Sequence, residues 1–170
     1  PENIILTPRR SGGDLVKVVD FGLATIVDQA STNITRPGLV CGTPDYMAPE
    51  QGRGESVDGR GDLYALAVVL FELLTDQLPF DDETPTKVVL RHIHDPVPDP
   101  RLIAPHREIP DALAAVAMRG LQKLQTERYQ TAAEMRDALL RAREALTANL
   151  PAMIKFSSCG AENPANIRFC

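Results

Sequence analysis

A chain of 170 residues is long enough for one modest domain with a tail. Its apolar share of 44% and charged share of 24% exclude a disordered or fibrous chain. The formal net charge of −5 leaves no basic footprint for nucleic acid. The longest apolar run, residues 63–71 continued by Leu73 and Leu74, falls short of the ~20 residues a bilayer span needs. No basic segment followed by an apolar stretch and a cleavage site marks a signal peptide. The cysteines, Cys41, Cys159 and Cys170, lack disulfide-framework spacing and point to a reducing cytoplasm.

In chain order, residues 3–6 and 14–19 are short β-prone runs joined by Thr7-Pro8-Arg9-Arg10-Ser11-Gly12-Gly13, turn chemistry that predicts a hairpin. Asp20-Phe21-Gly22 follows. Residues 23–41 show no clear periodicity and carry Ser31, Thr32 and Thr35, which are phosphorylation candidates although composition alone more commonly means an ordinary polar loop. Cys41 reads as a small buried residue. The block Gly42-Thr43-Pro44-Asp45-Tyr46-Met47-Ala48-Pro49-Glu50 comes next, and then a helix over residues 59–76 that is apolar on nearly every face, as a helix in the middle of a core must be.

Gln77-Leu78-Pro79-Phe80 ends that helix. Thr84 caps a short one with Pro85 at its first position and Val88, Val89 and Ile93 on its face. His92 and His94, two apart, point to different sides and read as surface or packing residues rather than ligands. The prolines at 96, 98, 100, 105 and 110 predict an extended loop over residues 95–110. Asp111 is expected to cap a helix bearing Leu113, Val116, Ala117, Leu121 and Leu124. Thr131-Ala132-Ala133-Glu134 has the pattern of a capping box, opening a last helix through about Leu146 buried along Met135, Leu139 and Leu146.

Asp20-Phe21-Gly22 and Ala48-Pro49-Glu50 resemble the two ends of a protein-kinase activation segment. Asn3 is similar to the last residue of the catalytic loop, Asp62 to the aspartate heading the central helix of the large lobe, and Arg128 to the arginine that pairs with the Ala-Pro-Glu glutamate. Gly42-Thr43-Pro44 resembles serine/threonine kinases, and Ala48-Pro49-Glu50-Gln51 their bacterial branch. The resemblance covers residues 1–146. It implies a mainly α fold, the kinase C-lobe, with a small β-hairpin carrying Asp-Phe-Gly and with the N-lobe absent.

The resemblance implies transfer of the γ-phosphoryl of ATP to a protein Ser or Thr. ATP and Mg²⁺ are the implied cofactors, with Asn3 and Asp20 as cofactor and metal ligands. Thr43 is implied in the substrate loop, where it supports the catalytic Asp. Asp62 is implied as a buried acceptor of catalytic-loop amides, and Glu50 is expected to meet Arg128. Ser31, Thr32 and Thr35 become candidate phosphosites. The implied partners are ATP and a protein with a Ser/Thr acceptor, with no nucleic acid and no membrane segment.

The chain is expected to begin inside the catalytic loop, and so to be a fragment, inactive alone, with the apolar flank of its central helix exposed. Its residues include no G-x-G-x-x-G phosphate loop and no V-A-I-K lysine with the helix glutamate that pairs with it in the family. The alternative is a non-catalytic, pseudokinase-like regulatory or interaction module.

After Pro151 the composition changes. Residues 147–170 read as a linker and an incomplete zinc-ribbon-like segment with Cys159 and Cys170. Phe156 stands where the partner of Cys159 belongs, and two cysteines do not close a tetrahedral site, so zinc is not expected here.

Overall fold

The computed structural model describes residues 3–9, 12–19, 44–148, 153–155 and 162–164. It comprises two compact units, residues 1–41 and 42–170. In the first, β1 (Ile4–Pro8) pairs antiparallel with β2 (Asp14–Val18), Ile4 facing Val18 and Leu6 facing Val16. Gly12 and Gly13 turn the chain at φ values of 86° and 76°, a region that side chains with a Cβ avoid. At the open end the Val19 N–H donates to Asn3 O at 2.9 Å and extends the ladder by one rung.

The second unit is helical: α1 (Pro49–Arg53), α2 (Gly59–Thr75), α3 (Pro85–His94), α4 (Pro100–Ile103), α5 (Asp111–Gly120) and α6 (Ala132–Ala148). A small antiparallel pair follows, β3 (Met153–Lys155) with β4 (Glu162–Pro164). Among the described residues no helix is long and apolar enough to cross a membrane.

Helix α2 is the axis of the core. Tyr64, Ala67, Val68 and Phe71 are fully buried and pack with Ala48, Val116, Leu121, Tyr129 and Met135. Its other face is open, with Leu66 44% and Leu73 71% exposed. Hydrophobicity all round this helix therefore does not mean burial all round. Helix α5 comes so close to α2 that a Cβ on Gly120 would collide with the Ala67 methyl.

Several local expectations are corrected. Residues 95–110 are not one extended loop. Pro100 opens α4 behind an Asp99 cap, whose side chain accepts the Arg101 N–H at 2.9 Å, and Pro105–Arg107 makes a 3-10 turn. Pro supplies a helix-ready φ at a first position, where its missing N–H is no loss. The cap of α5 is Pro110, and Asp111 is its first helical residue. At α6, Thr131 Oγ1 accepts the Glu134 N–H at 3.1 Å, but Glu134 returns to the N–H of Gln130, at 2.8 Å, rather than to that of the cap. Leu146 is 37% exposed because α6 has run past the core there, with Ala142 its last buried residue.

Candidate functional site

Asp20, Ser31, Thr32, Thr35, Cys41, Thr43, Cys159 and Cys170 lie outside the described residues. The site is therefore built from Pro44 onward. Pro44–Tyr46 forms a 3-10 turn closed by the Met47 N–H on Pro44 O at 3.0 Å. Tyr46 ties the turn to α2, its hydroxyl donating to Glu72 Oε2 at 2.9 Å. Ala48 is fully buried, and Pro49 starts α1. Gln51 reaches back so that its Oε1 accepts the Ala48 N–H at 2.8 Å, satisfying a donor that the helix start would otherwise leave orphaned. Gln51 is thus a structural device as well as a mark of resemblance.

These devices turn Glu50 inward onto Arg128. Arg128 Nη1 and Nη2 donate to Oε1 and Oε2 at 2.8 and 2.7 Å, the bidentate geometry that suits a guanidinium. The two side chains are 0% and 2% exposed. Nε donates to Gln122 O at 2.7 Å, Nη1 also to Arg60 O at 3.3 Å, and Nη2 also to Lys123 O at 3.1 Å. Every N–H of the guanidinium thus has an acceptor. The Tyr64 ring lies against its face, 4.8 Å from Cζ to centroid. Burial works against the charge on Glu50, yet hydrogen bonds from Arg128, the local backbone and Gln125 hold its carboxyl below the ordinary value.

A second layer ties the segment that carries Arg128. Arg60 clasps Asp58 and also donates to Gln125 Oε1 at 3.0 Å and Gln130 Oε1 at 3.2 Å. Gln130 Nε2 in turn donates to Arg128 O at 2.8 Å. Gly61 lets α2 approach: a Cβ there would stand 3.1 Å from Val57 Cγ1.

His92 belongs to the same assembly. It is fully buried, and its Nδ1 shares a 2.8 Å hydrogen bond with the Tyr64 hydroxyl. Lys123 Nζ donates to His92 O at 2.7 Å and sits over the Phe80 ring at 3.8 Å. Burial first, and the Lys123 charge second, pull the His92 pKa down to about 4. Burial likewise lowers Lys123 to about 8, against the pull of Asp95. The signal for a buried His92 was present in its helical spacing from Val88, which is also buried.

Asp62 is placed differently from the buried position expected of it. It is exposed, in the first turn of α2, on the face that carries Leu66 and Leu73 and away from the core. It borders an open cleft of about 490 Å³ lined also by Asp58, Arg60, Leu63, Gln130 and Thr131. Asn3 is exposed at the open end of the hairpin. Among the described residues no three His, Cys, Asp or Glu side chains gather as metal ligands. What the described residues build is an anchor: a rigid mount for the end of the block at residues 42–50.

Residues 1–140 match the family described as the protein kinase domain. The serine/threonine-protein kinase pkn3 of Myxococcus xanthus is 42% identical over 134 residues, which are 78% of this chain and 24% of that protein. The serine/threonine-protein kinase PknB of Mycolicibacterium smegmatis is 40% identical over 155 residues, 91% of this chain and 24% of that protein. PknB of Mycobacterium tuberculosis is 42% identical over 142 residues, 83% of this chain and 22% of that protein. The chain therefore spans no more than about a quarter of the length of these relatives.

Proposed function

The chain belongs to the protein kinase family, and from that membership we propose that the protein transfers the γ-phosphoryl group of ATP to a serine or threonine hydroxyl of a protein substrate. The observation that carries this reading is the buried, fully satisfied pairing of Glu50 with Arg128. Phosphoryl transfer depends on positioning, and this pair fixes the end of the stretch assigned to the substrate backbone. Thr43, just ahead of the anchored turn, supports the catalytic aspartate. Ser31, Thr32 and Thr35 are the candidate phosphosites.

Asn3 and Asp20 are the residues that would hold Mg²⁺, both offering the hard oxygen donors this ion takes. The hairpin ladder supports the pairing, because its last rung joins Asn3 to Val19, the residue before Asp20. Bound there with ATP, the ion would neutralise charge on the phosphates. Asp62, accessible at its cleft, is suited to accept backbone amides. The domain reading is a large-lobe segment over residues 1–146 followed by a linker and ribbon-like segment, located in the cytoplasm.

The 170 residues contain neither a G-x-G-x-x-G phosphate loop nor a V-A-I-K lysine, so taken by themselves they are expected not to transfer phosphate. The test has two arms. Genomic sequence upstream of Pro1 is read for an in-frame His-Arg-Asp. The protein carrying it is then incubated with Mg-ATP and a serine- and threonine-containing protein substrate. Phosphate incorporation that Asp20→Asn abolishes supports the proposal. Incorporation by the 170 residues alone would overturn their expected inactivity, and no His-Arg-Asp with no incorporation would favour the pseudokinase-like module.

A further inference from the structure

Four side chains close a ring around the anchor. Arg128 Nη2 donates to Lys123 O at 3.1 Å, and Lys123 Nζ donates to His92 O at 2.7 Å. His92 Nδ1 bonds the Tyr64 hydroxyl at 2.8 Å, and the Tyr64 ring returns to the Arg128 guanidinium. The ring joins α2, α3 and the segment after α5. Helix α3 has a second attachment, to α1: a Cβ on Gly52 would stand 2.7 Å from Val89 Cγ1 and 3.1 Å from Ile93 Cδ1, so the two helices touch there closely. Of the ring's members, only His92 has an ordinary titration range between neutrality and mild acid.

We propose that His92 is an acid-sensitive latch, whose neutral ring holds α3 onto α2 and whose protonation releases α3 from the anchor around Glu50 and Arg128. The surroundings of the ring oppose a positive charge on balance. From α2 it meets the neutral Tyr64 hydroxyl; from the segment after α2, the uncharged Phe80 ring, 5.0 Å between centroids; from the segment after α5, the cation Lys123. From the turn at Pro44–Tyr46 the Asp45 backbone favours the charged ring weakly. The Asp45 carboxyl is raised by its own burial and by Asp81 and Glu72. On α3 itself, Arg91 is engaged with Asp95 and Asp82.

Among the described residues His92 Nε2 finds no hydrogen-bond partner. An imidazolium would therefore be a buried cation beside Lys123, with no carboxylate against it. Its folded pKa of about 4 lies below the ordinary His value, so the attachment is whole above that value and weakens as pH falls from there toward 4. Asp45 acts with the opposite sign. A carboxyl raised by burial is relieved by acid, so it is not the source of a loss on acidification.

The test is amide hydrogen exchange of α3 and α5 as pH falls from 7 to 4.5, corrected for intrinsic rates, together with NMR titration of the imidazoles. His92 is expected to titrate well below the ordinary His value. Protection of α3 is expected to fall by up to about tenfold per pH unit below the ordinary His value while α5 keeps its protection. Lys123→Met removes the opposing charge, so it moves the His92 titration to higher pH and shrinks the total loss of α3 protection. His92→Asn keeps a polar group near the Nδ1 position, cannot titrate, and abolishes the pH dependence. Three results would overturn the latch: equal loss in α3 and α5, no loss in either, or a wild-type His92 that titrates at the ordinary His value. The wild-type and Lys123→Met measurements decide the matter even if His92→Asn does not fold.

Discussion

Two arginines in the helical unit make nearly the same contacts and do different work. Arg101 reaches Asp99 at 2.6 Å and Asp111 at 2.7 Å, while Arg128 reaches Glu50 at 2.7 Å. Distance does not separate them, but solvent does. The Arg101 side chain is 43% exposed and Asp111 89%, whereas Arg128 and Glu50 are 0% and 2% exposed. At the surface, water replaces whichever partner is lost, so the ion pair adds little. In the interior, loss of either partner strands a charge, and loss of Arg128 also strands the carbonyls of Gln122, Arg60 and Lys123. The anchor is therefore rigid because it is costly to break, not because it is a strong net attraction.

The largest effect should follow from breaking the buried pair on one side. Arg128→Ala is expected to destabilise the protein by about 3–5 kcal/mol, read by urea denaturation. Glu50→Gln should weaken it in the same direction. The double variant Glu50→Leu with Arg128→Met should be less damaging than Arg128→Ala, since it leaves no buried charge behind. Equal losses for Arg128→Ala and Arg101→Ala would dissolve the distinction between the two sites.

Acid gives the next contrast. Arg128 and other hydrogen bonds hold the Glu50 carboxyl below its ordinary value against burial, and the Arg101 hydrogen bonds do the same for the surface Asp99, which is partly buried. A lowered folded pKa means a contribution that is whole above the ordinary carboxyl range and is lost as pH falls through the folded value. Melting temperature should therefore drop in the acid range chiefly through Glu50, after any loss at His92 at milder pH. Glu50→Gln should flatten that segment of the profile, and Asp99→Asn should leave it nearly unchanged. The reverse pattern would assign the acid sensitivity to the surface.

How much of this was legible in the sequence depends on which residues carry it. The pairing of Glu50 with Arg128 was expected because both residues fall in motifs of a recognisable family, and the cap at Thr84-Pro85 because its chemistry is local. Asp99-Pro100 carries the same cap-and-proline signature, with the Asp99 side chain accepting the Arg101 N–H at 2.9 Å, yet it lay hidden among neighbouring prolines. The burial of His92 depends on Tyr64 and Phe80, which lie far from it in sequence but pack on it in the fold. The open face of α2 was expected from the family resemblance rather than from its residues, since Leu66 and Leu73 are as apolar as the buried Phe71 and Val68. Their exposure is a fact of packing.

Gly120 tests the wall behind the anchor. Its lack of a side chain allows α5 to lie against Ala67 of α2, so Gly120→Ala forces a methyl into a filled interior. The expected loss is about 1–3 kcal/mol by denaturant unfolding, less than for Arg128→Ala because no charge is stranded. Glycine to alanine inside a helix otherwise favours the helix, so a loss rather than a gain is diagnostic of the close approach. A gain would mean the helices part to admit the methyl, and that the core tolerates movement next to Tyr64 and Arg128.

Arg101→Ala should have the smallest effect. Its hydrogen bonds to Asp99 raise its own pKa beyond any range that matters, but a guanidinium is charged at every accessible pH in any case. The substitution frees the exposed Asp111 carboxylate and the half-buried Asp99 carboxylate, and the Asp99 side chain keeps the cap on the residue 101 N–H, a backbone donor present in any residue but proline. The melting temperature should be indistinguishable from wild type at physiological salt, with only a slight decrease at low salt where screening is weak. A loss that persists in high salt would show that Arg101 acts through packing of its aliphatic stem, and that the surface clamp shares more with the buried anchor than its exposure implies.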